Sequence, residues 1–345
     1  HSNPVDVLAT GTAEHFGRCL EAMMADDSVD CVLVNFVTPF FMDTENIAMA
    51  IAQVNEKQIK PMVCNLMTDR RQWAETEAIL KASGVPCFAL PSDAARALVA
   101  LVRYRNILDR EPGRVRSYID VDTASARKIV DRANGQSMLA ADQVYGILEA
   151  YGIDVPEWRM AGDVDGAAAA ADDIGYPVVL KADATSVIHK SDMGGVAVNL
   201  TDADAVKQAA KTMTERIDAR DLRFFVQQFV PGGREVIIGA KAEPGVGHLI
   251  MFGLGGIFVD VLKDVIFNLT PVTDAEAREM VDGIQASALL DGVRGEKPVD
   301  KTALIDLIQR LSKLVTDFPQ IVELDLNPVM AFEKGAVAVD ARMAL

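Results

Sequence analysis

The first hundred residues alternate amphipathic stretches with short apolar runs. Strands that are separated by helices favour right-handed crossovers and a parallel sheet covered on both faces. Such a sheet normally begins with a strand, whereas this stretch opens on Asn-Pro-Val-Asp at residues 3–6. We therefore expect a truncated start, or a partner that supplies the missing part. The pattern predicts helices over residues 13–25, 44–57, 72–83 and 93–108, and strands over residues 31–37, 61–66 and 86–90.

A charged stretch with Pro-Gly, residues 108–116, predicts a linker, and a second α/β region follows it. Three strands of this region succeed one another through Pro-Gly-Gly and Glu-Pro-Gly turns, which predicts one antiparallel sheet over residues 223–252. The predicted helices are residues 122–133, 138–151, 164–174, 203–219, 274–290 and 300–318. The predicted strands are residues 177–180, 196–200, 223–229, 234–242, 248–252, 321–326 and 336–339.

Composition narrows the class of protein. The chain has 345 residues, enough for two domains with separate cores, and its 50% hydrophobic and 24% charged residues are ordinary for a water-soluble globular protein. The sequence contains neither a signal peptide nor an apolar stretch of membrane-spanning length. A formal charge of -16 would repel nucleic acid and anionic membranes, so we expect neither as a partner.

The four cysteines all lie in the first quarter of the chain, singly spaced and mostly within apolar runs. They are Cys19, Cys31, Cys64 and Cys87. This spacing favours reduced, buried thiols in a cytoplasmic protein over disulfides or a zinc site.

The stretch of residues 176–195 carries the clearest candidate chemistry. A short apolar strand ends at Lys181, and a polar run with His189 and Lys190 leads to Gly194-Gly195, whose backbone N–H groups could approach a ligand. An imidazole nitrogen is nucleophilic near neutral pH and can carry a phosphoryl group. The alternatives are a solvated lysine, a histidine on a surface loop and a simple glycine turn.

From about residue 149 onward the chain resembles the ATP-grasp half of the nucleoside-diphosphate-forming acyl-CoA synthetases, the acetate–CoA ligase type related to succinyl-CoA synthetase. Residues 1–105 resemble the second flavodoxin-like domain of the same family. The implied fold is α/β: an N-terminally incomplete flavodoxin-like parallel-sheet domain (1–108), a linker and helix (109–135) and a two-lobed ATP-grasp domain (136–345). The resemblance rests on the strings at residues 174–181, 189–196, 251–256, 290–295 and 323–328.

The resemblance also implies roles for individual residues. His189 would accept phosphate from a partner histidine and pass it to ADP, and Asp325 would be an acidic residue near the phosphates. The implied nucleotide-binding residues are Lys181, Lys190, Gly194, Gly195, Gln227, Gln228, Phe229, Val230, Glu235, Gly255 and Gly256. For any one of them, an apolar strand, an exposed side chain or a turn remains the plain alternative. Near Asn268, where family members usually have an arginine, this chain departs from the pattern.

Three oxygen-bearing side chains near the C terminus form a candidate magnesium site. Asp325 and Asn327 alternate on one predicted strand and so share a face, and Asp340 closes the neighbouring strand. Mg²⁺ prefers hard oxygen ligands, and the resemblance implies that Asn327 and Asp340 hold it. The alternative is a turn, since Asn-Pro is a common turn string.

The implied activity is that of an ADP-forming acid–thiol ligase, acyl-CoA + ADP + phosphate = carboxylate + CoA + ATP, with ATP or ADP and Mg²⁺ as cofactors. The implied partner is a CoA-binding domain or subunit that this sequence does not contain, in a cytoplasmic oligomer. Two alternatives stay open at this point: an ATP-grasp carboxylate ligase that uses an acyl phosphate, and a nucleotide-binding regulatory subunit.

Overall fold

The computed structural model describes residues 3–37, 42–68, 70–133, 135–184, 194–256, 264–293 and 295–345. Two of the candidate site residues, His189 and Lys190, lie outside these ranges. The chain divides into two compact units, His1–Arg110 and Glu111–Leu345. Across the described residues, no helix combines the length and the apolar character needed to span a lipid bilayer.

The first unit is built on a three-stranded parallel sheet with strand order β1-β2-β3. Helices α1–α3 bury apolar side chains against one face of this sheet, and α4 covers the other face through Ala94 and Leu98. The predicted parallel sheet with helices on both faces is therefore confirmed. Its elements are α1 (Ala13–Ala25), β1 (Val32–Val37), α2 (Thr44–Asn55), β2 (Met62–Met67), α3 (Arg70–Ala82), β3 (Cys87–Phe88) and α4 (Pro91–Asp109).

The cysteines of this unit are all free thiols, as the sequence predicts. Only Cys64 is fully buried, and Cys19, Cys31 and Cys87 are half-buried. The prediction of burial was wrong for these three. Cys31 directly precedes β1 and Cys87 begins the short strand β3, where one side of the residue stays open, and Cys19 lies midway along α1 at a partly exposed position.

The second unit contains two antiparallel sheets. The smaller has the strand order β4-β7-β5-β6, and helices α7 and α8 cover one of its faces. Aspartates at the helix starts accept backbone N–H bonds: Asp163 from Gly166 and Asp202 from Ala205, both at 2.8 Å. The elements up to this sheet are α5 (Thr123–Arg132), α6 (Ala141–Ala150), β4 (Trp158–Ala161), α7 (Val164–Ile174), β5 (Val178–Asp183), β6 (Val196–Leu200), α8 (Ala203–Arg216) and β7 (Arg223–Gln228).

The larger sheet has six strands in the order β10-β9-β8-β11-β12, with β13 also paired to β11. Helices α5, α6, α9 and α10 bury apolar side chains against one of its faces, and this is the main core of the unit. The elements are β8 (Arg234–Glu243), β9 (Gly247–Leu254), β10 (Val265–Leu269), α9 (Asp274–Gly283), α10 (Lys301–Asp317), β11 (Glu323–Ala331), β12 (Ala336–Ala338) and β13 (Ala341–Ala344).

Two expectations about this unit were wrong. The strands predicted as one sheet over residues 223–252 are divided, because β7 belongs to the smaller sheet, and β8 and β9 belong to the larger one. Gly232 and Gly233, at φ 72° and 88°, lead the chain from one sheet to the other instead of closing a hairpin. The helix predicted over residues 274–290 ends at Gly283, and a short 3₁₀ turn, Ser287–Leu289, follows it.

Candidate nucleotide and metal site

In the part of the second unit that the structure describes, the helices packed against each sheet cover one of its two faces. On β5, Leu180 and Ala182 point into the core under α7 and α8, so the alternation of a strand directs Lys181 and Asp183 to the opposite face. A cleft of about 700 Å³ lies along this face, and Tyr145, Lys181, Asp183, Asp340 and Arg342 are among the side chains that line it.

Lys181 crosses the cleft to the larger sheet. Its Nζ donates to Oδ1 of Asp340 at 2.7 Å and to the carbonyl oxygen of Val339 at 2.8 Å. The side chain is only 13% exposed, whereas Asp340 remains 37% exposed. Lys181 is therefore a partly buried cation with a fixed position, and not a lysine solvated at a strand end.

The carbonyl oxygen of Val339 accepts three hydrogen bonds, which fix the segment that precedes Asp340. Besides Lys181, it accepts from the hydroxyl of Tyr145 at 2.9 Å and from Nε2 of Gln227 at 3.0 Å. The Tyr145 oxygen also lies 3.0 Å from Oε1 of Gln227. Burial raises the pKa of Tyr145 well above its ordinary value, which keeps the hydroxyl protonated and able to donate.

Asp325 and Asn327 lie on β11 with the buried Leu326 between them. The pairing of β11 with β8 shifts register between Leu326 and Val329, so the N–H of Asn327 donates at 3.1 Å to the carbonyl of Asp340. The Asn-Pro string is thus an irregularity inside a strand and not a chain-reversing turn. It brings Asp325, Asn327 and Asp340 to one place.

Burial raises the pKa of Asp325 above its ordinary value. The positive charge of Arg342, its cross-strand neighbour on β13, opposes this rise, and the negative charges of Glu323 and Asp340 add to it. A hydrogen bond with Asn327 also favours the charged form. A carboxylate that is desolvated beside other carboxylates favours a bound cation, because the cation would offset that charge.

Glu235 lies beside the glycine pair at the end of β9. The N–H of Gly255 donates to the carbonyl of Glu235 at 2.9 Å, and Gly256 has a positive φ of 63°. On β8, Glu235 is an even number of residues from Gly239, the cross-strand partner of Asp325, so the two carboxylates are on the same face of the sheet.

The remaining residues predicted to bind the nucleotide lie in different environments. Gln227 is buried, and both ends of its amide are hydrogen bonded inside the unit, so its side chain is part of the structure that holds Val339. Gln228 and Phe229 use their N–H groups to bond Glu157 and Pro177, and with Val230 they begin the passage between the two sheets. The carbonyl of Gly195 accepts from Ala182 at 2.8 Å, while Gly194 is half-buried at φ 69°.

Sequence reasoning missed several side chains of the cleft. Arg223 bonds the buried Asp183 at 2.8 Å and Asp142 at 3.2 Å, and Arg342 stands opposite Asp325. The alternation of residues along a strand could have identified two of these side chains, because Asp183 is two residues after Lys181 and Arg342 is two residues after Asp340. Tyr145 had no such signal, because only the fold brings α6 to β7.

The oxygen donors fit Mg²⁺. Within the described ranges, no group of three or more His, Cys, Asp or Glu side chains is arranged to hold a metal ion. Mg²⁺ needs fewer protein ligands than that, because it is usually bound through one or two carboxylates together with waters and nucleotide phosphates. Asp340, Asn327 and the desolvated Asp325 supply hard oxygen atoms of this type.

Comparison with known proteins gives consistent matches. Residues 131–345 match the family model of an ATP-grasp domain. The chain is 40% identical over 349 residues to acetate–CoA ligase [ADP-forming] I of Archaeoglobus fulgidus, which covers 99% of this chain and 50% of that protein. It is 42% identical over 228 residues to the beta subunit of acetate–CoA ligase [ADP-forming] I of Pyrococcus furiosus, over 64% of this chain and 98% of the subunit.

A solved structure is similar over the same region. It is the dinucleotide-forming acetyl-coenzyme A synthetase 1 of Ca. Korarchaeum cryptofilum in complex with coenzyme A and Mg-AMPPCP, with a phosphohistidine segment that points towards the nucleotide-binding site. The sequence identity is 38% and the TM-score 0.58, over 64% of this chain and 100% of that one. The chain thus spans about half the length of the curated relatives that match it from end to end.

Proposed function

The chain belongs to the ATP-grasp family of ADP-forming acetate–CoA ligases, and we propose that it performs the phosphoryl-transfer half of their reaction. The overall reaction would be acyl-CoA + ADP + phosphate = carboxylate + CoA + ATP. The observation that carries this proposal is the position of Lys181, a partly buried cation that faces Asp340 and the Asp325–Asn327 strand across a cleft. A magnesium nucleotide needs a cation beside its phosphates and hard oxygen ligands for its metal ion, and this cleft offers one cation opposite several such oxygens.

In this proposal ADP binds between the two sheets. Lys181 offsets phosphate charge, Glu235 and the Gly255-Gly256 backbone lie on the same side as Asp325, and Asn327 and Asp340 hold the metal. Bound Mg²⁺ would polarise the phosphoryl oxygens and neutralise charge. The protein's own contribution is to place a fixed positive charge and a desolvated surface next to the phosphates.

His189 would carry the phosphoryl group. The P–N bond of phospho-His189 breaks as a P–O bond forms to a terminal phosphate oxygen of ADP, which leaves neutral imidazole and ATP. In sequence, His189 stands in the segment between Ala184, which lines the cleft, and Gly194. The phosphohistidine segment of the K. cryptofilum protein, which points towards a nucleotide, supports this role.

The remaining half of the reaction would belong to a CoA-binding domain or subunit. The A. fulgidus relative is about twice as long as the matched region, whereas the P. furiosus beta subunit is a separate chain. We therefore infer that this chain acts together with a CoA-binding domain, in an oligomer and in the cytoplasm, where its free thiols would remain reduced.

Labelling with [γ-³²P]ATP and Mg²⁺ tests the assignment. We expect the wild-type chain to take up acid-labile, base-stable label, and His189→Ala to lose it while ADP still binds in a calorimetric titration. His15→Ala is the matched control, since His15 is exposed in the first unit and should leave labelling unchanged. Label that survives His189→Ala would remove His189 from the reaction. Label of acyl-phosphate character would instead indicate a different class of ATP-grasp ligase.

A further inference from the structure

Two cysteines of the first unit face each other across neighbouring strands. Cys64 on β2 and Cys87 on β3 are direct partners in the parallel register, and both side chains belong to the core beneath α1–α3. Both are free thiols, and the nucleotide cleft of the second unit does not involve them. Directly opposed residues on neighbouring strands point the same way, so the two sulfur atoms share one side of the sheet.

We propose that Cys64 and Cys87 form an oxidation site, a dithiol that a peroxide converts into an intrachain disulfide. Paired strands lie about 4.8 Å apart, and a disulfide requires Cα atoms roughly 4.4–6.8 Å apart. The register therefore already places the two Cα atoms at a distance that a disulfide can bridge. Neither strand has to leave the sheet for the bond to form.

The two thiols differ in access and in acidity, and this difference sets the order of events. Cys64 is fully buried, while Cys87 is half-buried on the short edge strand β3. The neighbouring Cys64 thiol lowers the pKa of Cys87, against the opposing effects of burial and of the nearby Glu77 carboxylate, and the Cys87 thiol itself donates to the carbonyl oxygen of Val85 at 3.8 Å. The interaction with Cys87, together with burial, raises the pKa of Cys64. Cys87 is thus both the more exposed and the more acidic of the two thiols, and so the first that an oxidant meets.

The chemistry balances in two steps. The Cys87 thiolate attacks hydrogen peroxide: an S–O bond forms, the O–O bond breaks and hydroxide leaves, so that sulfur loses two electrons to the oxidant. Cys64 then attacks the sulfur of the sulfenic acid. The S–S bond forms, the S–O bond breaks, and the thiol proton of Cys64 leaves with the hydroxyl group as water.

The other two cysteines do not share this geometry. Cys31 packs with Val63 and Leu98 on the opposite face of the sheet, under α4, and Cys19 lies on helix α1. They serve as internal controls, because both are half-buried free thiols like Cys87 but neither has a cysteine partner in the strand register.

Peptide mapping of the peroxide-treated full chain tests the proposal. Trypsin should release Cys64 and Cys87 in separate peptides, residues 58–70 and 82–96, since Lys60 precedes a proline. We expect a cross-linked pair of these peptides, 2 Da lighter than their sum, that dithiothreitol separates. Dimedone, which traps sulfenic acids, should leave Cys87 unlabelled in the wild type, because Cys64 resolves it.

Variants separate the two roles. In Cys64→Ala, dimedone should label Cys87, and in Cys87→Ser neither the cross-link nor labelling at Cys64 should appear. Cys31→Ser should behave as the wild type does. A normal circular dichroism spectrum confirms that each variant is folded. If a variant does not fold, the cross-link in the wild-type protein still tests the proposal. The proposal is overturned if both thiols stay free at peroxide doses that oxidise Cys19, or if wild-type Cys87 accumulates dimedone label.

Discussion

The ammonium of Lys181 lies 2.7 Å from Oδ1 of Asp340, and this contact joins the two sheets of the second unit across the cleft. Under the proposed function the same two groups would bind opposite parts of a magnesium nucleotide. Lys181 would turn to a phosphate and Asp340 to the metal ion, so the pair exchanges partners on binding. Each charge keeps a counter-charge throughout, which avoids leaving an unpaired charge in a partly buried site.

This exchange predicts how Asp340→Asn will behave. The substitution removes the anion that holds Lys181 and weakens the metal site. We expect the affinity for Mg·ADP to fall at least tenfold, about 1.4 kcal/mol, while metal-free ADP binds as well as before or better. Calorimetric titration with and without Mg²⁺ measures the difference. Glu333→Gln, which breaks the exposed pair with Lys297, is the control. An unchanged magnesium dependence in Asp340→Asn would contradict the exchange.

The raised pKa of Asp325 predicts a gain in stability when its charge is removed. Because the folded pKa lies above the unfolded value of 3.8, the folded state binds this proton more tightly, and stability falls as the pH rises between the two values. Above the folded pKa, the loss of stability caused by the charged carboxylate no longer changes with pH. Asp325→Asn should therefore raise the Tm at pH 7 and weaken Mg·ADP binding, and thermal unfolding and calorimetric titration measure the two effects.

Asp274 provides a control, because the pKa of its carboxyl group is shifted in the opposite direction. Its carboxylate accepts the backbone N–H of Arg114 at 2.7 Å, and such bonds lower its pKa. The stability that it contributes is present above the unfolded value of 3.8 and is lost as the pH falls through the folded pKa. Thermal unfolding from pH 3 to pH 8 should thus show Asp274→Asn below the wild type at neutral pH. Equal pH profiles for the two variants would refute the assignment of Asp325.

The sequence predicted those parts of the site that depend on local pattern. Strand alternation places Asp325 with Asn327, and the apolar run of residues 177–180 predicts a strand that carries Lys181 at its end, although β5 continues to Asp183. Both predictions follow from local pattern and need no knowledge of what lies opposite. The parallel sheet of the first unit was predictable for a similar reason, since alternating helices and strands leave few other arrangements.

What sequence reasoning missed depends on contacts between distant segments. The side-chain amide of Gln227 bonds Tyr145 and Val339, residues 82 and 112 positions away, and its part in nucleotide binding stays a prediction. No local pattern reports such a pairing. The split between β7 and β8 was missed because a Pro-Gly-Gly string is compatible both with a hairpin and with a passage to another sheet. Strand β13 has only four residues, too few to show an alternation.

Tyr145→Phe tests whether the hydrogen bonds on Val339 position the site. The ring should keep its edge contact with Phe225, whose centroid is 4.7 Å away, while Gln227 and Val339 lose a hydroxyl partner. We expect a loss of about 1 kcal/mol in the free energy of unfolding. The KM for ADP should rise several-fold, because the segment before Asp340 loses one of its three bonds, whereas kcat should change less.

Tyr176→Phe is the matched control for this prediction. Its hydroxyl bonds Asp172 at 2.7 Å on an exposed surface, within one helix and the turn that follows it. The change should leave both kinetic constants and the Tm close to their wild-type values. If Tyr145→Phe lowers the Tm but leaves the KM for ADP unchanged, the hydroxyl serves the core and does not position Asp340.

Gly255→Ala tests the close packing of the glycine pair against Glu235. A Cβ atom at residue 255 would lie 3.0 Å from Cβ of Glu235, and 3.1 and 3.2 Å from its carbonyl carbon and oxygen. The backbone of Glu235 cannot easily yield, because β8 is paired with β9 on one side and β11 on the other. We expect a loss of about 1–3 kcal/mol in the free energy of unfolding, the usual cost of an overpacked contact, and weaker ADP binding as Glu235 is displaced.

Gly162→Ala is the control, since a Cβ there meets nothing within 4 Å. Thermal unfolding and ADP titration of both variants decide the matter: a Gly255→Ala protein with the Tm and ADP affinity of the control would mean that this contact supports neither the fold nor the nucleotide site.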